Sequence, residues 1–409
     1  MEGAEMDKKN RKVPKLRFPD FTDDWEQRKV GEIAGKTYGG GTPKTSVNEY
    51  WGGKIPWIQS SNLSEHQLFD ADIQKHITEQ GLQKSATQLV PKNSIAVVSH
   101  VGVGKLVFMP FEYTTSQDFI SLSELNTEPV FTCYALYKRL QEDLHIVQGS
   151  AIKGITKEDL LNKEISIPSF DEQRRIGDTL QNIDNLITLH QRKLDQMKKY
   201  KKGMLQKMFP QNGENEPEIR FPGFTGAWEQ RKLGEVIEDY IEKTTVEDQY
   251  PVLTSSQQKG IVLQDEYFAG QRVSQGGNVG YFVIPRGYFA YRSRSDNDVF
   301  VFNRNDAVDI GIISYFYPVF KPKDTDSDFL LRRLNYGLEE QIKINSEGTG
   351  QHVLSLKKFK NMIGLFPSLG EQQKIGAFFE NLDNLITLHQ RKVDLMISYK
   401  KGLLQKMFI

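Results

Sequence analysis

The sequence predicts an α+β protein: two mixed α/β globules separated by a long antiparallel two-helix coiled coil with pseudo-two-fold symmetry. Three observations carry this. First, Asp171–Met208 and Gly370–Met407 are proline-free repeats of one another, and Asn185–Lys193 returns letter for letter as Asn384–Lys392. Second, Ile176, Leu180, Ile183, Ile187, His190, Leu194, Met197, Lys201, Met204 and Met208 alternate spacings of four and three, as do Ile375, Phe379, Leu382, Ile386, His389, Val393, Met396, Lys400, Leu403 and Met407. That alternation is the a/d seam of a coiled coil. A helix of this length spans about 57 Å at about 1.5 Å per residue, and its single apolar stripe needs a partner. Third, the leader Leu16–Thr22 with Trp25–Glu32 returns as Ile219–Thr225 with Trp228–Glu235. The chain is a tandem duplication of one unit, a globule followed by a long helix.

In chain order, residues 1–14 are polar and aperiodic and are expected to be a mobile tail. Residues 15–167 form the first globule, 168–210 the first long helix, 211–217 a polar linker, 218–366 the second globule and 367–409 the second helix. Short apolar runs such as Ser94–Ser99, Val299–Phe302 and Gly311–Phe316 read as strands between glycine- and proline-rich loops. Within each globule the leader and the return segments (Gly149–Ile155 and Gly348–Leu354) are similar, but the inserts between them are unlike. Each helix starts just after a proline, Pro168 or Pro367. Ser169 with Glu172, and Ser368 with Glu371, have the spacing of a capping box. The second helix begins where the second globule ends, so it is expected to run back along the first, with a globule at each end. His190, His389, Lys201 and Lys400 interrupt the seams; they are read as residues that tune register and snorkel to solvent.

The 409 residues suffice for two or three domains, and 53 basic against 53 acidic residues argue against a globally cationic nucleic-acid binder. With one cysteine, Cys133, neither an internal disulfide nor a cysteine metal cluster can form. No apolar run approaches the roughly 18 residues of a membrane span, and the first residues lack the apolar core of a signal peptide. A cytoplasmic protein is expected.

Catalytic constellations are missing. Val101–Leu106 fails as a phosphate loop, because Ser99 stands where the first glycine belongs and Leu106 follows the lysine. Gln275–Gly280 lacks the G-x-G-x-x-G spacing of a dinucleotide site, no adenine-methyltransferase Asn-Pro-Pro-Tyr string occurs, and the histidines are scattered. No catalytic residue and no metal site is expected. The globules instead carry loops suited to DNA. In the first, Gly40, Gly41 and Thr42 would let backbone approach phosphates beside Lys44, with Lys54, Gln59, Asn62 and Lys105 nearby in sequence. In the second, Arg292, Arg294 and Asn297 cluster, supported by Arg272 and Lys343. Lysine and arginine would neutralise phosphates, while Gln59, Asn62, Arg292, Arg294 and Asn297 could read base edges.

Over nearly its full length the chain resembles the specificity (S) subunits of type I restriction–modification systems. The likeness rests on both leaders, Phe18-Pro19-x-Phe21-Thr22 and Phe221-Pro222-x-Phe224-Thr225 with their Trp-Glu-Gln-Arg-Lys strings. It rests equally on the Glu-Gln-x-x-Ile-Gly…Asp-Asn-Leu-Ile…His-Gln-Arg-Lys helices from Glu172 and Glu371, and on Gly40–Pro43 with Trp51…Trp57. The resemblance implies a subunit without catalysis of its own. Its two globules are then target recognition domains, each reading half of a bipartite asymmetric double-stranded DNA site, and the helices measure the spacer. It further implies two modification subunits that methylate adenine and two restriction subunits that cleave, with S-adenosylmethionine, ATP and Mg bound in those partners and no cofactor in this chain. An adaptor that binds other proteins through its globules is the alternative.

Overall fold

The structure is a computed structural model and describes residues 13–65, 67–146, 154–211, 213–268, 277–296, 299–348 and 350–409. The expected tail, Arg272 and Asn297 lie outside the described residues, the tail but for its last two positions. The chain divides into two compact units, residues 1–192 with 391–409, and residues 193–390. Each unit therefore holds one globule, the beginning of the long helix that follows it, and the end of the other repeat's helix.

The first unit contains β1 (Glu26–Lys29), α1 (Val30–Ile33), β2 (Ala34–Gly39), β3 (Trp51–Ile58), β4 (Lys75–Ile77), α2 (Glu79–Gln83), β5 (Ser94–Val98), β6 (Leu106–Met109), β7 (Thr114–Thr115) and β8 (Phe119–Leu125). It continues through α3 (Pro129–Ile146), α4 (Lys157–Leu161) and β9 (Glu164–Ile167) into α5 (Phe170–Met208). Strands pair as β1-β9, β2-β8-β5-β6 and β4-β3-β7. The run Ser-Ile-Ala-Val-Val of β5 is buried throughout because both faces of its sheet are covered. Ile95 and Val97 join α3 and the long helices in one core; Ala96 and Val98 join Ile58 of β3 in another. The period-2 pleat separates the two faces.

The second unit contains β10 (Glu229–Lys232), α6 (Leu233–Val236), β11 (Ile237–Tyr240), β12 (Val252–Ser256), β13 (Gly260–Leu263), α7 (Gln264–Tyr267), β14 (Phe282–Pro285), β15 (Phe289–Tyr291) and β16 (Arg294–Ser295). β17 (Phe302–Arg304), β18 (Ile310–Ile313), β19 (Val319–Pro322), α8 (Ser327–Leu334), α9 (Glu339–Asn345), β20 (His352–Val353), α10 (Leu356–Asn361), β21 (Ile363–Phe366) and α11 (Leu369–Met407) complete it. Its layers repeat those of the first unit. The sheet β11-β19-β15-β17 turns Phe289 and Tyr291 toward the helices and Ala290 toward the sheet β13-β12-β18-β14.

Repeat-equivalent contacts recur within each unit. In the first, Trp25, Phe131 and Phe408 form an aromatic cluster in which Phe131 stacks on Phe408 at 5.3 Å; in the second, Trp228, Phe329 and Phe209 do the same at 5.6 Å. The Leu16 N–H donates to the Lys406 carbonyl, and the Ile219 N–H to that of Lys207. Gly177 of α5 has no room for a Cβ, which would fall 2.9 Å from Glu128 Oε2; at Gly376 of α11 it would fall 2.5 Å from Asp326 Oδ1. These carboxylates accept from the N–H groups of Phe131 and Phe329 at the starts of α3 and α8. Glycine lets each long helix press against the capped end of its globule's helix.

Three expectations need correction. Glu172 and Glu371 do not close capping boxes. Each carboxylate, 1% exposed, takes a bidentate pair of hydrogen bonds from a leader arginine, Arg17 to Glu172 and Arg220 to Glu371, at 2.7 and 2.8 Å. The two guanidinium pKa values are raised, mainly by these bonds. Lys400 does not reach solvent. At 6% exposure it pairs with Asp184 at 2.6 Å, and the Tyr134 hydroxyl donates to the same carboxylate at 2.5 Å. Its counterpart Lys201 pairs with Asp383, which also accepts from Arg332 of α8. Finally, the seam is uneven: Ile176, Leu180, Leu194, Ile375, Phe379, Leu382 and Val393 are buried, whereas Ile183, Ile187 and Ile386 are half-buried.

Candidate nucleic-acid interface

Each unit opens a cleft on its second sheet, and the two clefts are built differently. In the first unit a cleft of about 510 Å³ lies along β3 and β4, lined by Thr45, Asn48, Trp51, Gly53, Lys75 and His76 among others. Trp51 and Trp57 meet edge to face at 5.2 Å, and the Lys75 ammonium sits 5.7 and 5.8 Å from their ring centres. Cation–π attraction there holds a positive charge at the cleft wall. Lys54 is exposed on β3, and Lys44 is exposed while its carbonyl accepts from the Trp51 indole.

Several residues expected to touch DNA in this unit do structural work. Gly40 and Gly41 are glycines because the chain passes close to its neighbours: added Cβ atoms would fall 1.8 Å from Ser116 O and 2.6 Å from Thr87 N. The Gly41 N–H donates to the Thr115 carbonyl and so is not free for a phosphate, and the Gly41 carbonyl accepts from the Trp57 indole. Asn62, 6% exposed, accepts from the Gln59 N–H and donates to the Asp72 carbonyl; it cannot read a base. Lys105 donates to the Leu63 carbonyl. Thr42 is exposed but donates to Gln117, and the Gln59 side chain is half-buried. Sequence polarity could not distinguish these residues from readers, since polarity alone does not show which side chains the fold consumes. Lys75 and His76, which line the cleft with Gln74, lie on the short strand β4, and Gln74 immediately precedes it, so a search of loops passes over them.

In the second unit Arg292 and Arg294 do come together, on one wall of a cleft of about 600 Å³. The Arg294 guanidinium lies 4.6 Å from the Phe316 ring centre, and both arginines are exposed. The chain between them is fixed at Ser293, whose N–H donates to Phe316 and whose carbonyl accepts from Leu354. Tyr291, buried just before, anchors its hydroxyl on the Leu354 carbonyl; burial pushes its pKa up. Lys343 is exposed in the last turn of α9 and is not part of this cleft. Gln257 and Gln258 line the cleft as well and were not foreseen. Among the described residues no group of three or more His, Cys, Asp or Glu side chains could hold a metal ion, and no helix is long and apolar enough to cross a membrane.

Two unlike clefts are carried on a duplicated frame. The chain belongs to the type I restriction modification DNA specificity domain family, whose model matches residues 22–199 and again residues 226–395. It is 31% identical over 173 residues to the type I restriction enzyme MjaIX specificity subunit of Methanocaldococcus jannaschii, covering 40% of this chain and 39% of that one. It is 30% identical over 181 residues to the EcoR124I/EcoR124II specificity subunit of Escherichia coli, 42% of this chain and 43% of that one. Each of these matches spans less than half of the relative's length. The fold is similar to the crystal structure of the type I restriction-modification system S subunit from M. genitalium, with a TM-score of 0.62 and 16% identity over 97% of this chain and 99% of that one.

Proposed function

We propose that this chain is the DNA sequence-specificity subunit of a type I restriction–modification complex and has no catalysis of its own. Each cleft reads one half of a bipartite, asymmetric site in double-stranded DNA. The observation that carries the reading is the pairing of a duplicated frame with two chemically different clefts: one positions a lysine over tryptophans, the other presents two arginines. Lys44, Lys54, Lys75 and Lys343 are exposed or cleft-lining cations available to phosphates, and Arg292 and Arg294 are available to base edges.

In this reading α5 and α11 pair antiparallel as a coiled coil that measures the unread spacer. Supporting it, the Asp184–Lys400 and Asp383–Lys201 pairs are related by the repeat, and each joins the two long helices within one unit. Two modification subunits dock on the helices, and two restriction subunits complete the complex; S-adenosylmethionine, ATP and Mg belong to those partners. Leu186 and Leu189 are about half exposed or more on α5, as are Leu385 and Leu388 on α11, within the stretch repeated letter for letter. Two identical apolar faces suit two copies of one partner. The test is selection from a randomised duplex pool by the complex reconstituted with its modification subunit. Enrichment of two short motifs at fixed separation, with binding that weakens steeply as salt rises, supports the proposal; enrichment of no motif refutes it.

A further inference from the structure

The cleft of the second unit is lined by the segment that carries Arg292 and Arg294 and by a second segment, Thr254–Gln258, which carries no arginine. That second segment enters the turn between β12 and β13, where Ser256 pairs with Gly260 and the sequence Gln257-Gln258-Lys259 forms the loop. Gly260 takes φ +72°, which a three-residue hairpin loop requires of its closing residue. The Ser256 hydroxyl, buried, accepts from the Gln258 and Lys259 N–H groups at 3.2 Å each. Asn303 of β17 reaches across from the other sheet and donates to both Ser255 Oγ and the Ser256 carbonyl, at 2.8 and 2.9 Å. The turn is thus clamped from both sheets. Both glutamine side chains are exposed and line the cleft, and neither their amides nor the Arg292 guanidinium makes a hydrogen bond or ion pair among the described residues.

A rigid backbone presenting unengaged long side chains is what base readout needs. A glutamine amide, donor and acceptor side by side, matches N6 and N7 of adenine; an arginine fork matches O6 and N7 of guanine. We infer that Gln257 and Gln258 are specificity-determining residues of the second unit, reading adenine in the same cleft as the guanine-reading Arg292 and Arg294. The half-site read by this unit then contains both purines. Asp296, the carboxylate in the same cleft, accepts from Gln351 and is turned to an intramolecular role. Asn303 is a positioning residue: it holds the turn and touches no base.

The inference rests on the proposed function, and its test separates the two. Duplex selection is run first with the wild-type complex; if no bipartite motif emerges, the proposed function fails. With the motif in hand, binding is measured to duplexes altered one base pair at a time. The double variant Gln257→Ala/Gln258→Ala should lose roughly ten- to hundredfold discrimination at adenine positions of the second half-site, with the first half-site unchanged. Gln257→Glu and Gln258→Glu, tested singly, give a gain that a folding defect cannot imitate: a carboxylate accepts from cytosine N4, so preference at one adenine position should move to cytosine. A wild-type motif without adenine in the second half overturns the inference. So does full discrimination in the double variant, or equal loss in both halves.

Discussion

Removing Arg220 isolates the energetic role of the leader. The guanidinium is the bidentate partner of Glu371, whose side chain is 1% exposed at the start of α11. Arg220→Ala leaves that carboxylate buried without its counter-charge. Breaking a buried pair in this way costs about 3–5 kcal/mol. Arg220 itself is 17% exposed, so water can follow the guanidinium out and the lower end applies, about 3 kcal/mol. Because the leader, β10, β21 and the start of α11 share this corner, the loss should fall on the second unit. Amide hydrogen exchange gives a local readout: 3 kcal/mol is roughly a 150-fold loss of protection at Glu229–Lys232 and Ile363–Phe366. The equivalent strands Glu26–Lys29 and Glu164–Ile167 should keep theirs, and Arg17→Ala should show the mirror-image pattern. The double variant Arg220→Met/Glu371→Leu, which removes both charges, should recover most of the protection. A loss below about fivefold, or no recovery in the double variant, would refute the assignment of a buried pair.

Three further outcomes follow from particular contacts. Asn62→Ala should destabilise the first unit by about 1–3 kcal/mol, since it strands the Gln59 N–H and the Asp72 carbonyl, and should leave base preference intact; a changed half-motif with unchanged stability would contradict this. Gly376→Ala gains up to about 1 kcal/mol of helix propensity but drives a Cβ into Asp326 at a cost of about 1–3 kcal/mol, so the variant should lose up to about 2 kcal/mol and unfold at a lower temperature than wild type. Burial raises the Glu128 pKa, partly offset by the Phe131 N–H. The unfolded chain therefore loses this proton first, near its ordinary value of about 4.3, and wild type is penalised progressively as pH rises from there to the raised folded value. Glu128→Gln lacks that penalty, so its stability relative to wild type should improve over that window and be flat above it; a difference independent of pH would be the contrary result.

Much of the frame is legible in the sequence because it is written twice. The leaders, the four-three spacing and the unlike inserts identify two globules and two helices, and eleven of the twenty seam positions are buried, the other nine half-buried. What escaped notice depends on distance along the chain. Glu172 resembles a capping residue locally, and only the fold brings Arg17 to it from 155 positions away. Lys400 looks like a residue bound for solvent until Asp184 of the other repeat is placed beside it. The cleft residues divide in the same way. Arg292 and Arg294 are separated only by Ser293 and line the same cleft, so a local reading finds them. Asn62 has a reader's chemistry but is consumed by its own backbone, and polarity alone cannot show burial. Gly40 and Gly41 are small because Ser116 and Thr87 are close, which no spacing announces. Gln257 and Gln258 occupy a turn whose importance comes from Asn303, 47 residues from Ser256.

The central claim is that two unlike recognition units on one repeated frame specify one bipartite DNA site. A methylation map tests it most directly: the chain is co-expressed with its modification subunit in a methylation-free host, and N6-methyladenine is located by long-read sequencing. The account predicts a single bipartite motif with a fixed spacer, dependent on this chain, in which exchanging residues 218–366 for those of another family member alters one half alone. A stable complex that deposits no new methylation, or a motif that changes in both halves on that exchange, would contradict it.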